Sequence, residues 1–250
     1  WIGLTWAAPA VAGDFMWTTN GDARVLAKYE GTAARVAIPA EVEGRPVAAI
    51  GAKAFADCAG IKTVAIPDGV VRIEEQAFAY CPDLVRVEFG AGVAEIGAWA
   101  FRGCPQLAEI AVAPDNLNYR LANGALVDRR TATLVLFPAG KAGKFAVPED
   151  VAAIGSEAFA GCARLTEVVF PDGLARIGPW AFDSCGLKNV RLPDSVTNLG
   201  EGAFSGCAAL ATVEGGAGLK EIGRGLKPGP GRGGLKPGQG RGGPKPTIRM

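Results

Sequence analysis

Histidine is absent from the 250 residues of this chain. Its absence excludes Ser-His-Asp and Cys-His nucleophile pairs, histidine-ligated zinc and the usual general base near neutral pH. No two cysteines have the C-x-x-C spacing, so a zinc site built on paired cysteines is not indicated either. We therefore expect no catalytic residue, no metal and no cofactor, and we interpret the chain as a non-enzymatic protein.

Aromatic residues and long apolar runs are also scarce. Aromatics make up 8% of the chain, and no apolar run approaches the roughly 18 residues that a membrane-spanning helix needs. We expect no membrane span. Apolar residues nevertheless reach 49%, which suffices for a continuous core, and the 36 glycines suggest that small aliphatic side chains fill it.

A single pattern organises most of what is present. Residues 154–177 read I-G-x-x-A-F-x-x-C-x-x-L-x-x-V-x-F-P-x-x-L-x-x-I, and five other segments follow the same pattern. On either side of the longer interval from Phe101 to Phe159, successive phenylalanines of the Ala-Phe pair are 23 residues apart, except for the last step of 22, where the segment around Gly186 is one residue short. Self-similarity at such a period indicates stacked repeats, because one coil alone cannot bury its apolar side chains.

Each repeat predicts a short strand, and a proline follows the strand at Pro67, Pro171 and Pro193. Val168 and Phe170 lie two residues apart and therefore point to the same side of a strand, which leaves Glu167 and Val169 outward. Pro171 cannot donate to a strand ladder and so ends the strand. We predict a right-handed, mainly β solenoid in which short turns or helices close each coil.

The sequence also predicts which segments precede, interrupt and follow this array. Residues 1–12 contain Ala10-Val11-Ala12, which predicts the remnant of a secretory signal, the alternative being an apolar leader strand. Residues 13–35 predict a capping hairpin and residues 36–223 the solenoid, which an irregular, protruding hairpin interrupts at 113–145. Residues 224–250, rich in Gly, Pro, Lys and Arg, predict a disordered tail.

The predicted tail differs from the rest of the chain in net charge. Residues 1–222 have 19 basic and 25 acidic side chains, a net charge of −6, whereas residues 224–250 have seven basic side chains and no acidic ones. The G-R-G-G segments of the tail suggest RNA binding or a flexible surface spacer. Because no aromatic residues are interleaved with these charges, we expect nucleic acid not to be the partner.

The repeats resemble the BspA-type leucine-rich repeat family. The resemblance covers residues 14–223 and includes the Asn118-Tyr119, Asn123-Gly124 and Leu134–Pro138 interruption. It implies a bacterial protein that is secreted or on the cell surface, often an adhesin, and it transfers no catalytic residue. The chain departs from the family pattern where the array stops in the middle of a repeat near Gly223.

The repeated phenylalanines and cysteines predict a structural ladder along the inner wall. Stacking brings equivalent positions together, and we expect the cysteines to be reduced, buried small hydrophobes, with disulfides between neighbouring coils as the alternative. The ladder comprises Phe55, Cys58, Phe78, Cys81, Phe101, Cys104, Phe159, Cys162, Phe182, Cys185, Phe204 and Cys207.

Outward strand positions on the concave face are the default ligand surface of a solenoid. The candidate partner-binding residues are Arg86, Glu88, Glu109, Glu167, Asn189 and Arg191. Trp99 and Trp180, at one repeat position, predict either an exposed aromatic pair or packing between coils. We expect a monomeric recognition or adhesion module that binds protein or surface glycan, and the alternative is a structural spacer of a larger surface protein.

Overall fold

The computed structural model describes residues 12–224. The predicted signal remnant and the predicted tail lie outside the described residues, apart from Ala12 and Arg224. Within the described range, no helix is both long and apolar enough to cross a bilayer. The described residues divide into two compact units, the first ending at Tyr119 and the second beginning at Arg120, which are described in turn.

The described residues begin with one turn of 3-10 helix at Ala12–Asp14 and continue with short strands. The strands are β1 Phe15–Asn20, β2 Ala23–Tyr29, β3 Arg35–Ala37, β4 Glu41–Val42, β5 Arg45–Ile50, β6 Thr63–Ala65, β7 Arg72–Ile73, β8 Arg86–Phe89, β9 Glu95–Ile96, β10 Glu109–Val112, β11 Tyr119–Ala122, β12 Ala125–Asp128, β13 Thr133–Leu136, β14 Gly143–Ala146, β15 Ala153–Ile154, β16 Leu165–Val169, β17 Arg176–Ile177, β18 Asn189–Leu192, β19 Asn198–Leu199, β20 Thr212–Gly215 and β21 Glu221–Ile222.

The first unit has two walls of parallel strands. The front wall is the sheet β3-β6-β8-β10, and the back wall is the sheet β1-β2-β5-β7-β9, in which β4 also pairs with β5. The antiparallel hairpin β1-β2 lies at the edge of the back wall, where β2 pairs in parallel with β5. On the front wall, Thr63 is opposite Arg86 and Arg86 is opposite Glu109, each pair 23 residues apart.

The second unit repeats this plan. Its back wall is the sheet β11-β12-β13-β15-β17-β19-β21, and its front wall consists of two separate pairs, β14-β16 and β18-β20. The parallel register places Lys144 opposite Glu167 and Asn189 opposite Thr212, again 23 residues apart. The predicted solenoid of 23-residue repeats is therefore confirmed.

Turns, rather than helices, close the coils between the back wall and the front wall. The residue before each Ala-Phe pair and the second residue after it both have left-handed backbone, as at Gln76 and Tyr80 with φ of 56° and 58°. Trp180 and Ser184 have the same conformation, with φ of 55° and 58°. Two left-handed residues four positions apart cannot belong to a right-handed helix. Of the two predicted ways of closing a coil, the turn is the one that forms.

Glycine is required where neighbouring back-wall turns approach each other. A Cβ atom at Gly200 would lie 2.2 Å from the backbone nitrogen of Pro179, and one at Gly178 would lie 2.6 Å from that of Ser156. No real Cβ atom tolerates such distances from backbone, so the glycine that follows the back-wall strand in these coils permits their close stacking.

The irregular region does not protrude as the sequence predicted. Asn123 and Gly124 do form a hairpin turn, with φ of 52° and 77°. However, all four residues of β12 are buried, because this strand pairs with β13 inside the back wall. In the first unit, buried Asn116 holds the preceding turn, donating through Nδ2 to Gly90 O at 2.9 Å and to Val93 O at 3.1 Å. These segments serve the stack, and we therefore correct the prediction of a protruding binding hairpin at 113–145.

Candidate functional site

Side chains alternate along the front wall. In β16 the buried residues are Leu165 and Val168, whereas Thr166, Glu167 and Val169 are exposed. In β18 Asn189 and Arg191 are exposed, and Val190 and Leu192 are buried. The candidate residues of both units therefore occupy outward positions on front-wall strands.

In the first unit the three candidate residues bind one another. Arg86 Nε lies 2.8 Å from Glu88 Oε1, and Arg86 Nη1 also forms an ion pair with Glu109. The hydrogen bond to Glu109 and the charges of both carboxylates raise the pKa of Arg86 above its usual value. The 23-residue register puts opposite charges side by side, because it places Glu109 opposite Arg86. Both carboxylates thus share one guanidinium, and the cluster keeps a net charge of −1.

In the second unit the front wall is interrupted between β16 and β18. The turn from Cys185 to Leu187 is one residue shorter than the turn from Cys162 to Leu165. Gly186 N donates to Cys162 O at 3.1 Å, and a Cβ atom at Gly186 would lie 2.1 Å from Ala163 O. The short turn is thus drawn tightly onto the coil before it. No strand pairing joins β16 to β18 in the part of the chain that the structure describes.

A groove of about 850 Å³ opens at this interruption. Its charged and polar lining consists of Thr166, Glu167, Asp172, Lys188, Asn189, Arg191, Thr212 and Glu214. Three of the six candidate residues, Glu167, Asn189 and Arg191, are therefore brought together here. Their partners are few, since Glu167 pairs with Lys144 at 2.7 Å and Asn189 accepts a hydrogen bond from Thr212 at 2.8 Å.

Sequence reasoning missed part of this groove. Lys188 and Asp172 were not among the candidate residues, and the groove itself was not expected. The available signal was the 22-residue step between Phe182 and Phe204, which shows that one coil is a residue short. A missing residue in one coil breaks its strand register with the neighbour.

Inside the coils the phenylalanines of each unit form a stacked column. In the first unit Phe55 and Phe78 have ring centroids 4.8 Å apart, and Phe78 and Phe101 are 5.1 Å apart. In the second unit Phe159 lies 4.7 Å from Phe182, which lies 5.3 Å from Phe204. Tyr29 and Phe137 occupy the position before the first phenylalanine of each column, with centroid distances of 5.1 Å and 5.0 Å.

The cysteines line the same core as free thiols. Cys81 Sγ donates to Phe55 O at 3.0 Å, and Cys185 Sγ donates to Phe159 O at 2.9 Å. Cys104 and Cys207 make the equivalent bonds, and Cys162 is also buried. These contacts use the thiol as a small donor to the preceding coil.

Cys58 differs from the other five cysteines. We expected all six cysteines to be buried, but Cys58 is only half-buried. The hairpin that precedes Cys58 covers it less fully than a complete coil would.

Burial, followed by the hydrogen bond with Cys162, raises the pKa of Cys185. Because the thiolate is the reactive form, the raised pKa protects the Cys185 thiol chemically.

The remaining candidates have structural roles. Trp180 is 39% exposed, but its ring lies against the next coil, so that a Cβ atom at Gly202 would be 2.6 Å from Trp180 Cε3. Trp99 has the guanidinium of Arg102 5.6 Å from its ring centroid. The turn carboxylate of Asp68 accepts a hydrogen bond from Ala91 N at 2.8 Å. Packing between coils is thus the arrangement that the structure favours for Trp180.

The repeat pattern identifies the family. Six copies of the BspA type leucine rich repeat region match residues 44–123 and 136–226. The chain belongs to the BspA-type leucine-rich repeat family. Such repeats are modules of cell-surface proteins, and their fold is typically non-enzymatic. Among the described residues, no group of histidine, cysteine or carboxylate side chains could hold a metal ion.

This chain is similar to solved structures of leucine-rich repeat proteins. A protein from Eubacterium ventriosum is 19% identical, with 82% of this chain and 74% of that chain covered and a TM-score of 0.50. A leucine rich cell surface protein from Faecalibacterium prausnitzii is 20% identical, with 86% and 94% covered and a TM-score of 0.42. The Leucine Rich Repeat protein of T. pallidum is 27% identical, with 86% and 82% covered and a TM-score of 0.35. No curated protein sequence matches this chain.

Proposed function

We propose that this chain is a secreted or cell-surface recognition module that binds a protein or surface glycan through the front wall of its second unit. The observation that carries the proposal is the groove between β16 and β18, about 850 Å³ in volume. Binding sites are typically concave and of roughly 300 to 1,000 Å³, with a few polar groups that fix orientation. The groove has these properties, and membership of a surface-protein repeat family supports an external location.

The chemistry of the groove suits a polar or mixed-charge partner. Arg191 and Lys188 offer positive charge, whereas Asp172 and Glu214 offer negative charge, and all four side chains are exposed. Exposed charges of both signs favour electrostatic selection of a partner over tight apolar burial. In the first unit, by contrast, Arg86 is already engaged by two carboxylates, which leaves less charge for a partner.

The proposal can be tested with an array of extracellular matrix proteins and surface glycans, probed with the full chain. Arg191→Glu reverses a charge in the groove. Arg164→Glu is a matched control, because Arg164 is also exposed and is absent from the lining of the groove. We expect Arg191→Glu to weaken capture about fivefold, equivalent to about 1 kcal/mol, and the control to leave capture unchanged. The melting temperatures of both variants should match that of the wild type within a few degrees.

Salt provides the second criterion. Capture through exposed charges should weaken as ionic strength rises, because the screening length shortens to about 8 Å at 0.15 M. Equal capture by Arg191→Glu and the wild type would place the site elsewhere. Failure of every array component to bind the folded protein would favour the structural spacer.

A further inference from the structure

The front wall has a regular backbone bond that the interrupted coil lacks. In the first unit Ile66 N, just after β6, donates to Glu88 O of the next coil at 2.9 Å. In the second unit Val147 N, just after β14, donates to Val169 O at the same distance. The equivalent pair across the interruption is Phe170 N and Arg191 O, and no such bond forms between them. The ladder of front-wall hydrogen bonds is therefore incomplete at this end of the gap.

The gap is closed at one end only. Lys188 N lies 3.4 Å from Thr166 O, which ties the two coils together just before β18. Phe170 and Leu192, at the other end of the two strands, also line the groove. Three or four residues of β16 thus present an edge, about 10 to 13 Å long at the usual rise of a strand.

We infer that this gap accepts one extended polypeptide segment, which adds as a strand along the edges of β16 and β18. The inference rests on the proposed function and specifies its partner as polypeptide rather than glycan. An unpaired strand edge offers alternating N–H and C=O groups, and only another polypeptide backbone matches that spacing along its length. A third strand needs its neighbours about 9.6 Å apart, twice the strand spacing. The pairing of β17 with β19 joins the same two coils on the back wall, so this separation requires the front-wall strands alone to move apart.

The side chains around the gap indicate what the segment carries. Val169, on β16, is 41% exposed and offers an apolar contact at the edge. Arg191 and Glu214 stand outward on the opposite side of the gap. We expect a segment with β-branched or apolar residues towards Val169 and mixed charge elsewhere. The outward positions of the groove have no aromatic platform for a sugar ring.

A repaired variant tests the inference directly. Replacement of Gly186 by the dipeptide Ala-Arg copies Ala163-Arg164 of the preceding coil and restores the 23-residue step. It keeps every side chain on β16 and β18. We expect the repaired variant to join the two strands and to melt at a higher temperature than the wild type. A library of random 12-residue peptides displayed on phage is then selected on the wild type, with the repaired variant as counter-selection.

The expected result is a set of peptides that bind the wild type and bind the repaired variant at least about tenfold more weakly, because two or three main-chain hydrogen bonds are lost. N-methylation of alternate residues of an enriched peptide should weaken it to a similar extent. Peptides that bind both proteins equally would overturn the inference. So would ligands that are exclusively glycans, although that result would leave the proposed recognition function intact. A protein that binds neither peptide nor glycan would overturn both.

A second pair of variants applies if the repaired protein does not fold. By repeat equivalence with Glu88 and Val169, the backbone of Arg191 faces the gap while its side chain points outward. Arg191→Pro removes this N–H donor, and Arg191→Ala removes the same side chain but keeps the donor. Peptide binding should fall further in Arg191→Pro than in Arg191→Ala. Equal binding by the two variants would contradict strand addition.

Discussion

The most stringent prediction for the fold concerns one thiol of the inner ladder. Cys81 is 1% exposed, and its Sγ atom donates to Phe55 O at 3.0 Å. Cys81→Ala removes this hydrogen bond and leaves a small void, which should cost about 1 to 2 kcal/mol of unfolding free energy. Cys81→Asp puts an acceptor beside a carbonyl oxygen and buries a charge without a partner, which should cost about 3 to 5 kcal/mol.

The matched control is the equivalent position one coil earlier. Cys58 is half-buried, so Cys58→Asp can direct its carboxylate to solvent and should cost about 1 kcal/mol or less. The assay is urea unfolding of the four proteins under reducing conditions, followed by circular dichroism. Equal losses for Cys58→Asp and Cys81→Asp would refute the inner position of the thiol ladder.

The pH dependence of the loss gives an independent check. Burial should raise the folded-state pKa of the new carboxyl in Cys81→Asp above its unfolded value of about 3.9. The penalty is then fully present above the raised pKa and fades as the pH falls through the unfolded value, because below that value the group is neutral in both states. A penalty that does not shrink towards pH 4 would show that the group is solvated.

Other predictions follow from the same packing. Gly200→Ala should cost about 2 to 3 kcal/mol in thermal unfolding, because its Cβ atom would lie 2.2 Å from Pro179 N, whereas Gly173→Ala, with nothing within 4 Å, should be nearly neutral. Labelling of the native protein with a thiol reagent should modify Cys58 first and leave the other cysteines until unfolding; prompt labelling of several would contradict their burial. Arg86→Ala should cost about 0.5 to 1 kcal/mol, less in high salt, and a salt-independent loss would show that its two ion pairs do not stabilise the first unit. Removal of residues 224–250 should leave ligand capture unchanged, and loss of all capture would move the site to the tail.

The coil itself could be predicted because several signals recur in phase. Val168 and Phe170 alternate with outward residues, Pro171 follows the strand, and Phe159 and Cys162 recur at equivalent positions in other coils. Any register other than the stacked one would expose these apolar side chains. Periodicity therefore specifies which residues pair between neighbouring coils within each unit.

Local backbone conformation was not predictable in the same way. Gln76, Trp99 and Trp180 all have left-handed backbone, although none is a glycine or an asparagine. The conformation is imposed by coil closure and by backbone bonds such as Trp180 N to Glu201 O at 2.8 Å. The conformational preferences of single residues do not indicate a left-handed backbone at these positions. For this reason a short helix remained an alternative way of closing the coil.

The candidate site could be predicted in outline but not in detail. Alternation identified Glu167, Asn189 and Arg191 as outward, and the structure places all three beside the same groove. It gave no indication that Arg86 is engaged by Glu88 and Glu109, because ion pairing depends on side-chain reach between coils. The groove depends on a one-residue difference whose geometric consequence appears only when the coils are stacked.

Amide hydrogen exchange at Phe170 tests the central claim most directly, namely that the interrupted front wall of the second unit is a recognition edge. The account predicts rapid exchange at Phe170 N in the free protein, slow exchange at the equivalent Val147 N, and protection of Phe170 N when a selected peptide binds. Equal protection of both amides in the free protein would show that the ladder is continuous and would contradict the account.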